Sequence, residues 1–248
     1  MSKVWLITDS ARGLGRALAE AVLATGDCLV AGAHDPALIS DLAQRYGRRV
    51  CPLLLDATDE ALVYAAVNAA LRVFGRIDVV VNHLGDVELA SIDDMSDVHL
   101  RRQLETHFFG AVSMTRAALP ILQEQGSGRY VQLAPIASVR GTPGFAAYQA
   151  ARRALEAFSE VLAHEAAPFG VEVSFVEPAA LHLLDSRLLL DTHPLFELHA
   201  PYEERGVAAI AAEPIGLGLQ TSPGRRGCAA KKSAGNRVVP FPERPVAA

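Results

Sequence analysis

Six short runs of β-branched and aliphatic residues alternate with longer alanine- and leucine-rich stretches, and this alternation constrains the fold more than any other feature. The runs Val4–Thr8, Leu29–Ala33, Val50–Leu55, Val79–Asn82, Tyr130–Leu133 and Val171–Val176 read as strands. Leu14–Ala24, Pro36–Tyr46, Glu60–Phe74, Val98–Gln123 and Ala146–Ala166 between them read as helices. Strands that are apolar on both faces suit a parallel sheet covered by helices on both sides. Right-handed crossovers then give a doubly wound α/β sheet, with its ligand crevice at the carboxyl ends of the strands. That geometry gathers Thr8–Gly15, His34, Asp56, Asn82–Gly85 and Leu133–Ser138 around one crevice.

The chain has 248 residues, half of them hydrophobic, which is enough for one large globular domain. A net charge of −5 argues against nucleic acid as a partner. No apolar run is long enough to span a bilayer, and the N-terminus enters the first strand without a cleavage-site pattern. Neither membrane partner nor export is therefore expected. Of three cysteines without metal-type spacing, Cys28 and Cys51 read as buried reduced thiols, and a cytoplasmic protein is expected. Residues 1–180 form the expected Rossmann-like core. Residues 181–215 read as a substrate lid, where His182, His193 and His199 lack metal-ligand spacing. Residues 216–248 read as a basic Gly/Pro-rich tail, with a weak strand signal at Asn236–Val239.

Thr8-Asp9-Ser10-Ala11-Arg12-Gly13-Leu14-Gly15 joins the first strand to the first helix. Glycines at such a turn let the backbone approach a pyrophosphate, which the helix N-terminus stabilises through unpaired N–H groups and its dipole. The segment resembles the Thr-Gly-x-x-x-Gly-x-Gly cofactor turn of the short-chain dehydrogenase/reductase family. Asn82-His83-Leu84-Gly85 resembles that family's Asn-Asn-Ala-Gly motif, and Tyr148-Gln149-Ala150-Ala151-Arg152 its Tyr-x-x-x-Lys motif. The similarity runs in order through residues 3 to 180. It implies a dinucleotide held by Arg12, Gly13, Leu14, Gly15, His34, Asp56, Asn82 and Gly85, with Asp56 at the adenine. It also implies a homodimer or homotetramer paired through the helices Val98–Gln123 and Ala146–Ala166.

Departures from the family pattern fall on the functional positions. Asp9 replaces the first glycine, adding a Cβ where positive φ is expected and a carboxylate beside the phosphate site. Arg12 and the lack of a carboxylate at His34 favour NADP(H) over NAD(H), with no cofactor at all as the alternative. By the family pattern Tyr148 is the acid/base. Arg152 stands at the Lys position, Pro135 at the Ser position and His107 at the Asn position. Arg152 keeps a positive charge beside Tyr148 but not the compact ammonium geometry. Pro135 has no hydroxyl to polarise a carbonyl, and Ser138 is three residues out of register. His107 has an imidazole able to relay a proton near neutral pH, or else to sit as a hydrogen-bonded core histidine.

Three readings stay open. In the leading one, Tyr148, Arg152 and His107 carry out non-redox proton transfer on a small molecule, in an elimination, cyclisation or isomerisation. A diminished NADP(H)-dependent carbonyl/alcohol oxidoreductase is the second, and a non-catalytic binding protein the third. Each takes a small-molecule substrate or ligand.

Overall fold

The computed structural model describes residues 2–85, 87–133 and 144–176. Pro135, Ser138, the Pro178-Ala179-Ala180 step, the lid, the tail and Asn236–Val239 lie outside the described residues. Six strands form one parallel sheet: β1 (Val4–Ile7), β2 (Cys28–Ala33), β3 (Val50–Leu54), β4 (Val79–Asn82), β5 (Gly128–Leu133) and β6 (Val171–Val176). Their spatial order is β3-β2-β1-β4-β5-β6. The chain therefore winds outward from β1 in one direction, returns to β4, and winds outward in the other. The reversal between β1 and β4 is the topological switch point, where such sheets bind ligands.

Alternation along the central strands divides the core into two layers. Trp5, Ile7, Val79 and Val81 face α1 (Gly13–Ala24) and α2 (Ser40–Tyr46), packing on Leu18, Val22 and Leu42. Leu6, Val30, Val80 and Tyr130 face the other way, against α3 (Glu60–Phe74), α5 (Gly110–Gln125) and α6 (Ala146–Ala166). Helix boundaries follow local chemistry. The Asp59 side chain caps α3 by accepting from the N–H groups of Ala61 and Leu62, and the helix ends at Gly75 in the left-handed region.

Several expectations are corrected. The stretch Pro36–Tyr46 is a short 3-10 turn (Pro36–Ile39) followed by α2, because Pro36 starts a turn that Asp35 caps. The single helix expected over Val98–Gln123 is α4 (Asp97–Leu104), a π-helical turn (Glu105–Phe109) and α5. β3 is apolar but not covered on both faces: it forms one edge of the sheet, with Pro52 and Leu54 exposed. A proline suits that place, since an edge strand has one side without ladder bonds. Cys28 and Cys51 are half-buried free thiols rather than fully buried ones, and burial pushes the Cys51 thiol up from its ordinary value.

Glycine in β2 lets the β1–α1 turn settle on the sheet. A Cβ on Gly32 would sit 2.5 Å from the Thr8 carbonyl oxygen and 2.9 Å from that of Ile7. Both obstacles are backbone, so neither can rotate away. Gly32→Ala is expected to lower stability by about 1–3 kcal/mol, as overpacking does, measured by denaturant unfolding. An unchanged midpoint would contradict this packing.

Candidate active site

The crevice is built first by a hydrogen-bonded lock between β1 and β4. The Thr8 hydroxyl donates to the His83 carbonyl at 2.7 Å and accepts from the His83 N–H at 2.9 Å. Thr8 N–H in turn donates to the Val81 carbonyl at 3.1 Å. Ser10 N–H then reaches the Gly32 carbonyl at 2.8 Å, carrying the turn across β2. Gly13 has φ +54°, and Gly15 is so enclosed that a Cβ would lie 1.9 Å from the Asp9 carbonyl oxygen.

Asp9 does not strain this turn, contrary to the sequence expectation. Among the described residues every positive φ belongs to glycine. The Asp9 carboxylate accepts the Ala11 N–H at 3.0 Å, forming a local turn with its own backbone. Beyond it, α1 begins at the extended Arg12 with no side-chain cap and no acidic residue in its first turn. The first intrahelical bond there runs from Arg16 N–H to the Arg12 carbonyl. The N–H groups of Gly13, Leu14 and Gly15 thus have no intrahelical acceptor and carry the positive end of the helix dipole. Arg16 turns away to Asp41 of α2 and to Glu20 one turn further along α1, and these carboxylates raise its pKa further. Arg12, at the start of α1, is exposed.

His34 and Asp56 meet at the ends of β2 and β3, with His34 Nδ1 3.9 Å from Asp56 Oδ2. Partial burial works to raise the Asp56 pKa. Hydrogen bonds from the Thr58 hydroxyl at 2.7 Å and N–H at 2.9 Å outweigh it and hold the carboxyl below its ordinary value. Asn82 is buried beneath the crevice and donates to Gln132 Oε1 at 2.9 Å and to the Ala111 carbonyl at 3.5 Å. It braces β5 and the start of α5.

The second half of the site is the buried trio His107, Tyr148 and Arg152. Tyr148 and Arg152 lie one turn apart on α6 and are 3% and 2% exposed. The π-helical turn brings His107 to them; its imidazole meets the Tyr148 ring edge-on, centroids 5.0 Å apart at 87°. Such turns widen a helix by one residue and re-aim the side chains that follow. Gly85 fixes their approach: it has φ +61°, and a Cβ there would lie 2.3 Å from Thr106 Cγ2 and 3.3 Å from His107 Cε1. The Arg152 guanidinium lies over the Phe175 ring of β6, 5.8 Å from its centroid.

The structure thus joins Gly85, His107, Tyr148 and Arg152 in one place, and Arg12, Gly13, Leu14 and Gly15 in another. His34 and Asp56 meet at the far end of the same strand edge. Sequence reasoning missed the Gln132 brace, the Phe175 platform and the π-helical turn; neither hydrophobic spacing nor any motif marks them. Among the described residues no cluster has the makeup of a metal site, and no helix is long and apolar enough to cross a membrane.

Known proteins resemble this arrangement. A family model described as short chain dehydrogenase matches residues 3–183. Oxidoreductase BOA17 of Botryotinia fuckeliana is 41% identical over 182 residues, which cover 73% of this chain and 66% of that protein. A short-chain dehydrogenase from Streptomyces avermitilis is similar in structure, with TM-score 0.69 and 39% identity over 73% of this chain and 66% of the other. The chain thus spans just under two thirds of these two proteins. A NAD+-bound xylitol dehydrogenase gives a TM-score of 0.66 at 26% identity, covering 71% of this chain and 69% of the other.

Gly85→Ala is expected to displace the π-helical turn, costing about 1–3 kcal/mol. Thr106→Ser, which removes the opposing methyl, is expected to return part of that loss. Thermal unfolding of the single and double variants checks this, and additive losses would contradict it.

Proposed function

The chain belongs to the short-chain dehydrogenase family, and from that premise we propose that it is an NADP(H)-dependent oxidoreductase acting on a small carbonyl or alcohol substrate. One observation carries the reading: at the switch point, the glycine turn delivers an uncapped α1 N-terminus while Asp9 is spent on Ala11. These residues fit a dinucleotide. Gly13, Leu14 and Gly15 would hold its phosphates, with Arg12 and His34 at the 2′-phosphate and Asp56 at the adenine. Asn82 and Gly85 would shape the nicotinamide side of the floor. Arg12 together with the absence of a carboxylate at His34 favours the phosphorylated form.

A bound nicotinamide supplies or accepts the hydride. The protein's share is the proton at the substrate oxygen, which Tyr148 gives or takes. The cation at Arg152 lowers the cost of the phenolate, and buried surroundings strengthen that effect. In this reading His107, whose imidazole lies edge-on to the Tyr148 ring, passes the proton on. Pro135 contributes no hydroxyl to the carbonyl. A missing oriented donor costs roughly 3 kcal/mol at the transition state, or about a hundredfold in rate, so turnover is expected to be slow.

A second reading follows from the buried Tyr148–His107 contact. Two acid/base groups edge to edge suit elimination, cyclisation or isomerisation without hydride transfer. A non-catalytic binding role is the third, and it requires nothing of Tyr148. We further propose self-association through residues 98–123 and 146–166, where Phe109 and Val161 are 49% and 56% exposed. Light scattering is expected to give a dimer or tetramer mass; a monomer would remove that proposal.

A panel of aldehydes and ketones with NADPH is expected to yield slow NADPH oxidation. Tyr148→Phe is expected to cut it by about 10²-fold or more while NADPH binding persists. Arg12→Ala is expected to weaken NADPH by about tenfold and leave NADH unchanged, in line with loss of one charged hydrogen bond. Turnover of a substrate without any dinucleotide would favour the second reading. Activity indifferent to Tyr148→Phe would contradict both enzyme readings.

A further inference from the structure

We propose that the substrate carries an apolar group beside its reacting carbonyl, and that Leu89 is the residue that selects it. The inference rests on the oxidoreductase reading above, which puts the substrate oxygen at Tyr148. Tyr148 belongs to a small apolar cluster of its own, separate from the two layers that cover the sheet. Its other buried members are Val87 and Phe145, and Leu89 packs against them. Val87 and Leu89 come from the segment that follows Gly85, and Glu88 between them is directed elsewhere. Its carboxylate pairs with Arg102 of α4 and lies 3.9 Å from His99 Nδ1 on the same helix. Glu88 is the one charged residue of the stretch 87–90. With it engaged on α4, the stretch presents aliphatic side chains to the cluster around the proton donor.

The segment is held on two sides. Besides the Glu88 pair, Ala90 N–H donates to the Gly144 carbonyl at 3.1 Å, just ahead of α6. Leu89 sits between these two ties, so its position relative to Tyr148 is fixed. Val87, Phe145 and Tyr148 are buried, whereas Leu89 is only half-buried. Leu89 is thus the member of the group that keeps accessible surface. Gly144 leaves its flank uncrowded. Apart from chain neighbours and among the described residues, the only atom within 4 Å of the place a Gly144 Cβ would take is Leu89 Cβ, at 3.9 Å. An apolar substituent laid on that surface removes it from water, which is favourable. A hydroxyl or carboxylate laid there loses its own water and finds no partner in the stretch 87–90, which is costly.

Steady-state NADPH oxidation with hexanal and acetophenone, against glyceraldehyde and dihydroxyacetone, tests this with an aldehyde and a ketone of each kind. Wild type is expected to show a kcat/KM about tenfold or more higher for the apolar pair. Leu89→Ala is expected to cut kcat/KM for hexanal about tenfold more than for glyceraldehyde. That difference is expected in KM rather than kcat, as for binding shared by ground state and transition state. Leu89→Met keeps volume and apolar character and is expected to retain most of the preference for hexanal, with thermal unfolding confirming that both variants fold. A wild-type preference for the hydroxylated pair overturns the substrate class and leaves the oxidoreductase reading standing. Equal losses for all four compounds in Leu89→Ala overturn the selecting role of Leu89 and likewise leave that reading standing. No NADPH oxidation with any of the four overturns both.

Discussion

The structure turns on the pairing of Thr8 with His83. One hydroxyl, nearly sealed from solvent, donates to and accepts from the backbone of the residue that follows β4. It closes the seam between the two strands from which the sheet winds in opposite directions. Everything the crevice needs hangs from that seam. On one side the chain passes through Asp9 into the first turn of α1; on the other it passes through Gly85 to the segment that carries His107. Both passages are tight enough that a single added carbon would strike neighbouring atoms.

Two sets of groups result, and they divide the chemistry. Helix N–H groups and the exposed Arg12 make an electropositive end. Tyr148, Arg152 and His107 make a buried end suited to moving a proton. Arg152 shows how the second set tolerates its unusual residue. A guanidinium so deeply buried is costly unless its charge is balanced or stabilised, and the Phe175 face gives it part of that stabilisation. A lysine ammonium is a point charge, whereas the planar fork is suited to lying flat on a ring. Phe175 and Arg152 thus suit each other.

The architecture was legible because apolar runs of strand length and capped helices carry their own period. Val79–Asn82, Val171–Val176, Glu60–Phe74 and Ala146–Ala166 begin and end where the pattern says. The glycine turn was legible because Gly13 and Gly15 follow a strand and open a helix. What stayed hidden depends on contacts distant in sequence. A π-helical turn adds one residue to a helix without changing its composition, so Val98–Gln123 gave no sign of Glu105–Phe109. The ease with which Asp9 sits in the turn depends on its backbone angles and on the Ala11 N–H, neither of which a residue type reveals. The expectation of non-redox chemistry leaned on Asp9, Pro135 and His107 together; the absence of strain at Asp9 removes the steric part of that argument and leaves its charge, Pro135 and His107.

The central claim is that this altered turn still binds a dinucleotide and prefers the phosphorylated one. Calorimetric titration of the purified chain with NADPH, and separately with NADH, tests it most directly. The account predicts saturable binding of NADPH at a dissociation constant of roughly micromolar, near −8 kcal/mol, with NADH distinctly weaker. No heat of binding from either dinucleotide would contradict it and turn attention to Tyr148 and His107 as a cofactor-free pair.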